Sequence, residues 1–192
     1  MNNTHSNYGY VSVFFHWLSA LTIFGLFGLG YYMVDLTYYS PLYKTAPELH
    51  KSIGLVFFAF MILRVIWRTK QIAPNHLASH SSLEQKAGKI THSLLYLLIF
   101  IIMISGYLIS TADGRGIEVF ELITIPAFGS IIENQEDIAG IVHKWLAYLL
   151  IALAALHALA ALKHHIIDKD NTLNRIIGKR QKTENTNEKT VH

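Results

Sequence analysis

Four of the chain's 11 histidines, His16, His50, His143 and His157, fall inside or at the ends of strongly apolar stretches. An imidazole in such a place is costly unless it is paired or functional. Each ring offers one nitrogen lone pair to a metal and one N–H to a hydrogen-bond acceptor. His143 and His157 are 14 residues apart, which on a helix is about 40° short of four turns and roughly 21 Å of rise. They therefore share one helix face at two depths. That separation excludes a single zinc or copper centre, whose ligands converge on one point. Two imidazoles facing each other from different helices instead supply both axial positions of a haem iron, with the flat macrocycle held between the helices.

Four apolar stretches are available to position these rings: Val13 to Leu36, Leu49 to Trp67, Ile90 to Thr111, and Ile138 to Ile167. Each is near or above the ~20 residues that cross ~30 Å of hydrocarbon as a helix. The composition agrees, because 52% hydrophobic and only 15% charged residues are too apolar for an ordinary soluble domain. The segments between them, 37–48, 68–89 and 112–137, are polar or broken by proline and glycine. The third contains IEVFELITIPAF, too short to span and expected in the interface or folded over the bundle. The expected fold is an all-α integral membrane four-helix bundle over residues 1–180, followed by a polar tail, 181–192, expected to be disordered.

The absence of cysteine excludes disulfides, thiolate-bound iron–sulfur clusters and covalent c-type haem. No basic region or small-residue cleavage site marks the N-terminus as a removable signal peptide, so the first apolar stretch is expected to stay as a helix. The net charge of +3 carries no nucleic-acid signature. Charge position is more informative. Arg64, Arg68, Lys70, Lys86 and Lys89 flank the second connection, and Lys163, Lys169, Arg175, Lys179, Arg180, Lys182 and Lys189 crowd the C-terminal end. The opposite side has Lys44, Lys51, Arg115 and Lys144. The positive-inside rule then places both termini and the second connection in the cytoplasm. Depth pairs His50 with His143 near the outer face and His16 with His157 near the inner one.

Other residues compete for roles around these pairs. His92 starts the third stretch at a depth comparable with His16, and is either a rival inner ligand or a hydrogen-bonding group. Arg64 lies 14 residues after His50, on the same face at the inner depth. It either neutralises a propionate of the inner haem or snorkels to lipid headgroups. His164 is a candidate for a proton or quinone site at the inner surface, against the simpler reading of a snorkelling interfacial histidine. Lys51, Lys144 and Arg115 form a basic outer group able to meet propionates or attract an anion. Gly25, Gly28, Gly30, Gly54 and Gly140 leave room for a flat cofactor or for helix packing. His5, His76, His80 and His192 fall in polar segments and are expected to be solvated.

Over roughly Tyr8 to Arg180 the chain resembles the bacterial cytochrome b561 family of di-haem membrane cytochromes. The resemblance is carried by FFHWL with His16, ELHKSIG with His50, VHKWLAYLLIALAALHALAALKHH with His143 and His157, and DKDNTLNRI after them. It implies two non-covalent haem b groups on these four histidines and electron exchange with ubiquinone in the bacterial inner membrane. Its nearest-looking branch implies oxidation of superoxide at the outer face. The alternative is an electron-transfer subunit that passes electrons from a partner dehydrogenase or hydrogenase to quinone. A histidine-rich metal carrier without haem is a third reading.

Overall fold

The computed structural model describes residues 2–75, 77 and 79–179. Its elements in chain order are α1 (Tyr10–Val34), α2 (Thr45–Thr69), α3 (Ser82–Ser110), β1 (Ile117–Val119), β2 (Ile123–Ile125), α4 (Gln135–Ile166) and α5 (Thr172–Ile176). α1 to α4 are each long and apolar enough to cross a membrane. A helix suits that setting because it satisfies its own backbone hydrogen bonds where no water can.

The helices outrun the apolar stretches, mostly at their N-terminal ends. α3 begins eight residues before Ile90, because Ser81 and Glu84 form a reciprocal capping box: Ser81 Oγ accepts from the Glu84 N–H, and Glu84 Oε2 accepts from the Ser81 N–H. α4 starts after Asn134, in the left-handed conformation at φ 53°, with Glu136 and Asp137 in its first turn and Lys163, His164 and His165 in its last. Acids at the start and bases at the end both suit the helix dipole. Apolarity reports only the part of a helix that meets hydrocarbon, so these polar turns are invisible to it.

Both ends of the four-helix unit and the α2–α3 connection meet at one end of the bundle. The Trp17 indole donates to the Ile176 carbonyl (2.9 Å), the Trp67 indole to Ser12 Oγ (3.2 Å), and the Arg175 guanidinium to the Asn75 carbonyl (2.8 Å). We call this the terminal end. α3 packs most extensively on α4, and α1 on α2. Midway along the bundle, Phe57 and Met61 of α2, Leu98, Ile99 and Ile102 of α3 and Leu150 of α4 form the buried core. The apolar outer surfaces of α1 and α4 are left for lipid.

The 112–137 segment adds one element to the expected all-α fold. β1 and β2 pair antiparallel with Ile117 opposite Ile125, and Phe120 and Glu121 turn at φ 51° and 59°. Gly116 is required beside this pairing, since a Cβ there would stand 2.6 Å from the Ile125 carbonyl oxygen. The hairpin folds over the bundle, one of the two placements expected. The Phe120 N–H donates to Ser52 Oγ (3.0 Å), and that hydroxyl donates to the Glu118 carbonyl (3.3 Å). The hairpin is thus fastened two residues beyond His50.

The expectation that His80 is solvated is corrected by the structure. Its side chain is 16% exposed and bonds through Nε2 to Asp170 Oδ2 at 2.9 Å. The sequence separation of 90 residues hid that partner, which the chain's return to the terminal end supplies. His76, His192 and the tail at 181–192 lie outside the described residues.

Candidate functional site

α4 carries both His143 and His157, and a different helix faces each of them. His50 at the start of α2 faces His143 with ring centroids 6.2 Å apart. His16 near the start of α1 faces His157 at 6.4 Å. Two imidazoles bound through nitrogen to opposite sides of one metal ion, with metal–nitrogen bonds of about 2.0 Å, have centroids about 6.3 Å apart. Both pairs therefore have the spacing of opposed axial ligands. All four rings are only partly exposed.

The surroundings of the rings also fit such a group. α4 makes no extensive backbone approach to α1 or α2 among the described residues, although it sets imidazoles opposite both. A flat macrocycle needs that kind of gap. At the hairpin end, His143 Nδ1 lies 2.9 Å from the Ile102 carbonyl oxygen and 3.2 Å from Ser105 Oγ. Donation from Nδ1–H to that carbonyl leaves Nε2 as the lone-pair nitrogen, the arrangement that orients a metal-binding histidine. His50 Nδ1 is buried beside the Leu26 carbonyl without a well-aligned hydrogen bond.

Two glycines hold the rings of the hairpin-end pair. A Cβ at Gly30 would come 3.2 Å from His50 Cε1, and one at Gly106 would come 3.0 Å from His143 Cε1. Gly30 was marked by the sequence, but Gly106 was not, because nothing local distinguishes it from a packing glycine of α3. Gly25, Gly28, Gly54 and Gly140 have open space where a Cβ would go.

At the terminal end, His92 sits beside the His16/His157 pair. Its ring centroid is 5.0 Å from that of His157, closer than two rings on opposite sides of one metal can be. Arg64 and Arg68 both lie over the Tyr96 ring, at 5.4 and 5.2 Å from its centroid, and Arg64 is within electrostatic reach of His16. Neither guanidinium has a carboxylate partner among the described residues. Two guanidiniums beside the imidazoles, with no carboxylate partner among the described residues, suit an anionic group such as a propionate.

His164 does not extend freely toward headgroups. Its Nδ1 lies 2.7 Å from Asp168 Oδ2, and its ring is 4.5 Å from that of His80. Lys163, first, and then His164 hold the Asp168 carboxyl below the ordinary carboxylate range, against the opposing effect of its partial burial. This fastening is kept at neutral pH and is lost only as pH falls below that range. On the opposite end, Arg115 is bound to Asp113 at 2.6 Å. Lys51 and Lys144, each next to a histidine of the pair, have no ion pair among the described residues.

Residues 7–179 match the profile of the family described as prokaryotic cytochrome b561. The chain belongs to that family. Cytochrome b561 homolog 2 of Escherichia coli strain K12 is 49% identical over 177 residues, covering 92% of this chain and 94% of the relative. The probable superoxide oxidase CybB of Yersinia pestis is 26% identical over 179 residues, covering 92% and 99%. Cytochrome b561 homolog 1 of Escherichia coli is 26% identical over 175 residues, covering 88% and 96%. Membership of the b561 family makes the chain a haem b-binding, multi-pass bacterial membrane protein of electron transfer.

Proposed function

We propose that the chain binds two haem b groups and carries electrons from superoxide at the outer face of the bacterial inner membrane to ubiquinone at the inner face. In this reading the terminal end is cytoplasmic, which the excess of lysines and arginines in the sequence segments that meet there supports. The observation that carries the proposal is the pair of opposed imidazoles at each end, 6.2 and 6.4 Å between centroids. Bound haem supplies a reversible one-electron centre at each pair.

The protein's own residues do the rest. His50 and His143 hold the outer group and His16 and His157 the inner one, while Arg64 offsets propionate charge. Lys51 and Lys144, without an ion pair among the described residues, make the outer rim attractive to a small anion. Each superoxide gives up one electron and leaves as dioxygen; two electrons and two protons convert ubiquinone to ubiquinol. His164 lies seven residues beyond His157 toward the terminal end, roughly 10 Å along α4. Bonded to Asp168, it is the residue we assign to passing protons to quinone.

Superoxide mixed rapidly with the purified, haem-loaded chain and ubiquinone is expected to reduce the quinone faster than superoxide dismutates by itself. The rate is expected to fall about tenfold between low and physiological salt, as screening shortens from ~30 to ~8 Å. A rate no faster than spontaneous dismutation would remove the superoxide reading. If a partner dehydrogenase then proved necessary for quinone reduction, the chain would instead be an electron-transfer subunit.

The glycine beside His143 gives a second test. Gly106→Val is expected to push that ring out of line and lower haem content toward one per chain, because α3 backbone fixes the intruding methyl groups in place. Gly88→Ala, in open space at the start of α3 and at the far end of that helix from Gly106, is expected to keep the wild-type content. Pyridine haemochrome quantitation against protein distinguishes the two outcomes.

A further inference from the structure

We propose that His80, His164 and Asp170 form a binding site for a divalent transition cation of the zinc type at the terminal end, separate from the haem positions. The three residues come from the α2–α3 connection, the last turn of α4 and the turn that follows it. Their ligand atoms all lie within 4.8 Å of one another. Both imidazoles converge on a single carboxylate oxygen, Asp170 Oδ2, from His80 Nε2 at 2.9 Å and His164 Nδ1 at 3.8 Å. These spacings bracket the ~3.3 Å edge of a tetrahedron built on metal–ligand bonds of about 2.0 Å.

Two nitrogens and one oxygen are the donor set that zinc accepts, and three protein ligands leave a fourth position for water or for Asp168. Asp168 Oδ2 bonds both His164 Nδ1 and Lys163 Nζ at 2.7 Å; a cation on Nδ1 replaces the first bond and suspends the proton role proposed for that pair, Lys163 keeps the second, and water is the simpler fourth ligand. The carboxylate is aimed before any metal arrives. Asp170 Oδ1 accepts from the Thr172 N–H at 2.8 Å, and the Asp170 N–H donates to the His164 carbonyl at 3.0 Å. Oriented ligands of this kind lower the ordering cost of binding. Ser79 Oγ and Thr172 Oγ1, which bond Asp170 Oδ2 and His80 Nε2 at 3.2 Å, must turn aside when the cation enters, a rotation open to hydroxyls.

The proposal does not depend on superoxide or quinone, and its readout is binding. Zinc added to the haem-loaded protein in detergent, in competition with a fluorescent zinc indicator, is expected to bind one per chain with micromolar or tighter affinity. His80→Gln and Asp170→Asn are each expected to weaken that binding at least about tenfold, with the haem spectrum serving as the control for folding. His5→Gln, which replaces an exposed imidazole, is expected to leave it unchanged. Zinc X-ray absorption on the unsubstituted protein is expected to show two imidazoles and oxygen donors. Equal affinity in the His80→Gln protein, a zinc shell with fewer than two imidazoles, or no binding below about millimolar zinc would each overturn the site; haem-iron signals stay separate throughout.

Discussion

Replacing His143 with alanine is expected to remove the outer haem and leave the inner one, so that haem content falls from two per chain to one. The helix survives the change, because alanine is the best helix former and His143 lies outside the buried core. What disappears is the ring opposite His50 and the bond from its Nδ1 to the Ile102 carbonyl. A haem held by His50 alone would be bound weakly and would exchange out during purification. His50→Ala is expected to give the same spectrum, since the two rings act as one unit. Reduction by superoxide is expected to be lost in both, while quinol still reduces the remaining haem from the other side. Loss of the inner signal instead would show that the pairing by depth is inverted.

The second large effect is expected at the terminal end and separates two rivals for one role. His157→Ala is expected to remove the inner haem and to abolish electron transfer to quinone altogether. His92→Ala is expected to keep both haems and to shift only the potential or band shape of the inner one. The reason is distance: His16 stands 6.4 Å from His157 and His92 only 5.0 Å, too short for opposed binding to one metal. Low-temperature spectra and redox titration of the two variants read this directly. If His92→Ala lost the inner haem while His16→Ala retained it, the ligand would be His92.

The four helices were legible in the sequence because hydrocarbon imposes a minimum length of apolar residues, and Ile90 to Thr111 or Ile138 to Ile167 could hardly satisfy it by chance. The face shared by His143 and His157 was legible because helical geometry converts a residue interval into an angle and a rise. Gly106 was not, since the ring it makes room for sits 37 residues further along the chain. The hairpin escaped for a related reason. IEVFELITIPAF is apolar without being long, and only its fastening to Ser52 shows why it turns back. His80 looked like a loop residue because its partners Asp170 and His164 lie beyond α3, the hairpin and most of α4. Apolar period and length are local quantities; polar partnerships between distant segments are not.

α4 also acts as a ruler. It carries one imidazole of each pair, so the offset between the two centres is set by a count of residues along one continuous rod rather than by how loops settle. Composition on the lipid-facing side of that rod is therefore free to drift, while its length is not. A single residue inserted between Leu146 and Leu153 would turn His157 about 100° away from His16 without changing any side chain. A stretch whose lipid-facing positions accept many apolar exchanges is thereby expected to reject the smallest change in register.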